Sequence, residues 1–175
     1  MAANGTNGSA STLSETPATP RVLEELHSPI FAALHEAKAK KGMSFEDVAK
    51  AIGRSEVYTA AIFYGQAKPL PEDLDALSKA LEIPSGALTA SLGPSFWPHR
   101  AGLIQELPPR DPVIYRLYEA VLVYGHPIKH LIHEKFGDGI MSAIDFNGEV
   151  ERVPDPKGDR VRLTLEGKYL AYKRW

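Results

Sequence analysis

The chain contains no cysteine among its 175 residues. That excludes disulfides, a thiolate nucleophile and any thiolate metal centre, and it suits a reducing compartment such as the cytoplasm. A surplus of basic charge is also missing. Lys and Arg number 20 against 22 Asp and Glu, a formal net charge of −2. No broad positive field is available for nucleic acid or an anionic membrane. No apolar run approaches the roughly 18–20 residues of a membrane span. The first twenty residues lack both Lys/Arg and an apolar centre, so neither a secretory signal nor an Arg-rich transit peptide is expected. Two Asn-x-Ser/Thr sequons, at Asn4 and Asn7, are therefore attributed to chance.

What remains is ordinary globular composition, 43% hydrophobic and 24% charged, with length for one or two small domains. Residues 1–20 are small and polar and read as a disordered tail. Residues 21–93 carry helical patterning. Ser44-Phe45-Glu46-Asp47 reads as a capping box opening a short helix that Gly53 closes. Ser55 caps a second, and Pro71 starts a third carrying Leu74, Leu77 and Leu81. Two short helices joined by a Gly-containing turn are the helix-turn-helix arrangement, and Gly42–Leu88 resembles the repressor type of DNA-binding domain. A transcriptional regulator is thus the alternative reading. The second helix, however, holds Val57, Tyr58, Ala61, Ile62 and Phe63 with no Lys or Arg. Such a face suits protein better than a DNA groove, and no nucleic-acid partner is expected. Four prolines between Gly93 and Arg110 mark 94–110 as a connector.

The stretch Asp111–Tyr124 organises the rest. Asp111 is an N-cap residue with Pro112 at the first helical position, and Gly125 with Pro127 reads as the stop. Of Val113–Tyr124, only Arg116 and Glu119 are neither apolar nor aromatic. A helix apolar all round is expected to be buried on every side. Three residues apart, Arg116 and Glu119 share a face and read as a charged pair enclosed in protein, with the guanidinium a trap for a small anion. A second short helix is expected over Pro127–Phe136. After Gly137-Asp138-Gly139, read as a structural turn, Ile140, Ser142, Ile144 and Phe146 alternate onto one side of a strand. Asn147-Gly148 is a hairpin signal. Glu149–Val153, Arg160–Leu165 and Lys168–Tyr172 complete three or four short strands. Ser142 falls among apolar neighbours, where its hydroxyl needs a partner. With no flanking nucleophile motif it reads as a donor to a bound anion. His126, His130 and His133 do not follow the His-Glu-x-x-His order, and no metal is assigned to them.

The segments Tyr115–Glu119 (YRLYE), His133–Ile140 (HEKFGDGI), Ser142–Phe146 (SAIDF) and Leu165–Leu170 (LEGKYL) together resemble the cyanase family, also called cyanate hydratase or cyanate lyase. The resemblance runs nearly continuously from Asp111 to the C-terminus, and Gly42–Leu88 fits the family's repressor-like helical domain. It implies an α+β fold: an N-terminal helical bundle, then a catalytic and oligomerisation domain over 111–175 with interlocked antiparallel strands. By matching motif, it implies a catalytic trio of Arg116, Glu119 and Ser142. Asp145 is the one variation nearby, where Asn also occurs. It further implies a homodecamer of five dimers with sites between dimers. The implied reaction is bicarbonate-dependent decomposition of cyanate to ammonia and carbon dioxide through carbamate, with bicarbonate as co-substrate and no cofactor or metal.

Overall fold

A computed structural model describes residues 28–98 and 107–175. The expected tail over 1–20, residues 21–27, and residues 99–106 of the connector lie outside the described residues. Eight elements follow in order: α1 (Pro29–Lys40), α2 (Phe45–Ile52), α3 (Glu56–Phe63), α4 (Pro71–Leu81), α5 (Ser85–Leu92), α6 (Pro112–Phe136), β1 (Gly139–Val153) and β2 (Arg160–Ala171). The class is α+β.

The first five helices form where local chemistry directs. At α2 the Ser44 hydroxyl accepts the Asp47 N–H at 3.0 Å, and Asp47 returns a carboxylate to the Ser44 N–H at 2.8 Å. This capping box satisfies donors at both ends of the first turn. Gly53, at φ 68°, ends the helix in the left-handed conformation. Ser55 caps α3 through the Tyr58 N–H, and Pro71 opens α4. Their apolar faces meet in one core that includes Leu34, Val48, Ile62, Phe63, Leu77, Leu88 and Leu92, all fully buried. Asp73, also buried, accepts the Leu70 N–H at 2.8 Å and pairs with Arg54 Nε at 2.7 Å.

The C-terminal unit departs from expectation in three ways. First, α6 is one 25-residue helix that runs through Gly125 and Pro127. A proline inside a helix removes a hydrogen bond and costs about 3 kcal/mol. The apolar stripe Leu117, Val121, Tyr124, Ile128, Leu131 nevertheless keeps its four-three spacing across it. Continuity of that stripe, which only an unbroken helix provides, outweighs the local stop signal. His126 is accordingly a helical residue and not a turn residue.

Second, Asn147-Gly148 is no turn. Both lie inside β1, paired with Glu166 and Leu165 of β2. The hairpin instead turns after Val153, where Asp155 accepts the Lys157 N–H at 2.9 Å and pairs with Arg160 Nε at 2.7 Å, and Gly158 adopts φ 119°. Two long antiparallel strands replace three or four short ones. Gly148 is buried because α3 lies against it: a Cβ there would stand 3.5 Å from the Val57 methyl.

Third, α6 has no buried residue. Val113, Leu117, Val121, Leu122, Ile128 and Leu131 are all at least half exposed. Among the described residues of its own chain, none encloses the stripe.

Candidate active site

Arg116 and Glu119 are positioned by the start of α6. The Asp111 carboxylate accepts the Val113 and Ile114 N–H groups, both at 2.9 Å, and fixes where the helix begins. One turn later Arg116 Nη1 donates to Glu119 Oε2 at 2.7 Å. The hydrogen bond and then the charge of Glu119 raise the guanidinium pKa above its ordinary value, so it is a permanent cation. The Tyr115 ring lies 5.5 Å from the Arg116 guanidinium carbon, a cation–π distance. The pair expected from the sequence therefore exists, and the described residues of its own chain leave it open. The Arg116 side chain is 70% exposed and that of Glu119 44%. An exposed pair of this kind adds little to stability. What it does is hold the planar fork at a set angle with two N–H edges free to meet an oxyanion.

Ser142 is the converse: 4% exposed. It does not share a face with Ile144, which is 96% exposed, so the simple alternation expected over 140–146 is broken. The reason is an irregularity in the sheet. Met141 pairs with Tyr169 and Phe146 with Gly167, so residues 142–145 stand opposite Lys168 alone. Ser142 Oγ accepts the N–H groups of Ile144 and Asp145, each at 3.0 Å. Both acceptor positions of the oxygen are thereby used, and the hydroxyl proton is left to donate. The partners are main-chain groups without a sequence signature, which is why residue-by-residue reading misses them. Gly167 falls between two expected strands in the sequence; in the structure it lies inside β2, where a glycine marks a close backbone approach.

His126, His130 and His133 line one open hollow on α6 with Lys129 and Glu134. Among the described residues no group of three or more His, Asp or Glu is arranged to hold a metal ion. No described helix is long and apolar enough to cross a membrane. On the helical domain, α3 presents no Lys or Arg, and its Val57 is turned to β1.

Comparison with known proteins decides the family. The profile of the cyanate hydratase N-terminal domain matches residues 28–90, and that of the cyanate lyase C-terminal domain matches 106–174. The chain is 60% identical over 148 residues to a cyanate hydratase of Coprinopsis cinerea, covering 85% of this chain and 97% of the relative. The chain belongs to the cyanate hydratase family. A cyanate hydratase of Mycosarcoma maydis is 55% identical over 157 residues, covering 89% and 95%. One from Synechococcus sp. (strain CC9311) is 49% identical over 148 residues, covering 85% and 96%. The crystal structure of cyanase from T. urticae superposes with a TM-score of 0.65 at 29% identity, covering 81% of this chain and 96% of that one. Membership makes the chain an enzyme of the cyanase type and leaves the DNA-binding alternative without support.

Proposed function

We propose that the protein catalyses the bicarbonate-dependent decomposition of cyanate, using Arg116, Glu119 and Ser142 at a site completed between copies of the chain. The observation that carries the reading is the Arg116–Glu119 pair, 2.7 Å apart on a helix whose apolar surface its own chain leaves open. A charged fork on such a surface becomes desolvated once another copy covers it, and desolvation strengthens its hold on an anion.

The chemistry sets the task. A bicarbonate oxygen bonds to the cyanate carbon, giving a carboxylated carbamate. The C–O bond to the former bicarbonate carbon then breaks, releasing carbon dioxide and leaving carbamate on the cyanate carbon. Carbamate takes up a proton and separates into ammonia and a second carbon dioxide. The balance is one cyanate, one bicarbonate and two protons to one ammonia and two carbon dioxide. No electron changes hands, and neither cofactor nor metal enters the scheme. The obstacle is that two anions must meet. Arg116 offsets their repulsion, Glu119 holds the guanidinium in register, and the Ser142 hydroxyl donates where negative charge gathers. Holding both reactants aligned contributes on the order of 7–11 kcal/mol of the barrier reduction. The assembly that fits is a homodecamer of five dimers, its substrates small anions alone.

The test is ammonia release from cyanate in carbon-dioxide-free buffer, with and without added bicarbonate. Release that depends on bicarbonate is expected. Release at the same rate without bicarbonate, or none under either condition, would overturn the reading.

A further inference from the structure

We infer that Gly167 is a positioning residue for this reaction, acting through Ser142. The inference rests on the proposed role of Ser142 and extends it to the strand behind. A Cβ built on Gly167 would fall well inside van der Waals contact with the Ser142 carbonyl oxygen, and 2.7 Å from Met141 Cγ. The backbone of β2 therefore reaches the Ser142 peptide only because position 167 carries no side chain.

That approach occurs where the ladder slips, with 142–145 opposite Lys168 alone. Four residues against one cannot keep regular pairing, so the excess chain must be held by something else. Ser142 Oγ supplies that hold by accepting the Ile144 and Asp145 N–H groups at 3.0 Å. Gly167 presses on the same peptide from the other side. The two contacts fix the Ser142 backbone and rotamer together. They leave the hydroxyl a single function, donation of its one proton, because both acceptor positions are occupied. A serine free to rotate would alternate between donating and accepting, and accepting toward an anion is repulsive. The bulge and its glycine thus turn an ordinary hydroxyl into a fixed donor.

Gly148, in β1, provides a contrast within the same hairpin. A Cβ there meets only side-chain atoms of Phe146 and Val57, none nearer than 3.5 Å. Gly139 of β1 makes an approach like that of Gly167, to the Leu170 carbonyl, so two of the three strand glycines lie against backbone, and of these Gly167 is the one that meets the Ser142 peptide.

A double-mutant cycle in the assembled enzyme tests the inference, using Gly167→Ala, Ser142→Ala and the pair, with kcat and KM measured for each. Removing a fixed donor typically costs about 100-fold in kcat. Gly167→Ala is expected to lose at least tenfold in kcat while the assembled mass is retained. In the Ser142→Ala background it is expected to cost less than twofold more. Losses that multiply, or a Gly167→Ala enzyme with wild-type kcat beside an impaired Ser142→Ala, would overturn the inference and leave Ser142 in place. A fully active Ser142→Ala would instead remove the reading on which it rests. Should Gly167→Ala fail to assemble, amide exchange of Ile144 and Asp145 decides. The inference expects protection in the wild-type assembly that Ser142→Ala abolishes, and unchanged protection refutes it.

Discussion

His35 sits in a ring of aromatic edges, 5.1 Å from Tyr64, 5.3 Å from Phe63 and 6.0 Å from Phe45. Its Nε2 is buried with no hydrogen-bond partner among the described residues. Burial, then the nearby Lys38 charge, pushes its pKa below the ordinary histidine value of 6.5, against a smaller opposing effect of a hydrogen bond to the Phe63 backbone. A base depressed in the fold binds its proton more readily unfolded, so stability falls where only the unfolded chain is protonated. The contribution is intact above 6.5 and is lost as pH drops below it. Thermal unfolding at pH 7.5 and 5.5 is expected to show a lower Tm in acid, and a smaller drop for His35→Gln. Equal drops would contradict this. Asp73 gives a second prediction of this size. Its carboxylate serves both Leu70 and Arg54 from a position 1% exposed. Asp73→Ala is expected to cost about 1–2 kcal/mol in denaturant unfolding, through the lost cap of the Leu70 N–H.

Between elements, legibility followed the range of the forces involved. Capping boxes, proline starts and glycine stops act within four residues, and α2, α3 and α4 fall where those signals put them. Arg116 and Glu119 were readable as a pair for the same reason. The errors came where a distant partner overrules local preference. Gly125-His126-Pro127 has every local mark of a stop, yet the stripe through Ile128 and Leu131 carries the helix on. Asn147-Gly148 has the composition of a turn, but its glycine makes room for Val57, a residue some ninety positions earlier in the chain. The enclosure of Arg116 is of another kind: its apolar surroundings are legible in the sequence, and the cover expected there is that of neighbouring copies. Two glycine substitutions separate these cases. A Cβ at Gly139 would overlap the Leu170 carbonyl and lie 2.5 Å from the Tyr169 ring, whereas one at Gly86 of α5 meets nothing within 4 Å. Gly139→Ala is expected to destabilise the hairpin by about 2–3 kcal/mol. Gly86→Ala is expected to stabilise its helix by about 0.5–1 kcal/mol. Chemical denaturation of the two variants tests the contrast.

For the whole molecule, the distribution of burial is lopsided. The buried apolar core lies wholly within residues 30–92, while the described part of the C-terminal unit buries no large apolar side chain. A long helix and a two-stranded ribbon do not make a stable unit alone in water. Further copies of the chain are the natural cover, and sedimentation is expected to give a mass near ten times 19.2 kDa. On this account assembly and catalysis are one event, since the copies that bury α6 also take Arg116 out of water. Replacing Arg116 by Lys is expected to preserve that mass and lose at least about tenfold in kcat/KM, because an ammonium lacks the planar fork. The most direct measurement of the central claim mixes two impaired enzymes, Arg116→Lys and Ser142→Ala, unfolded together and reassembled. If sites draw residues from different copies, some mixed sites regain an intact set, and ammonia release is expected to rise well above that of either parent reassembled alone. Activity no greater than the average of the two parents would contradict a site shared between chains.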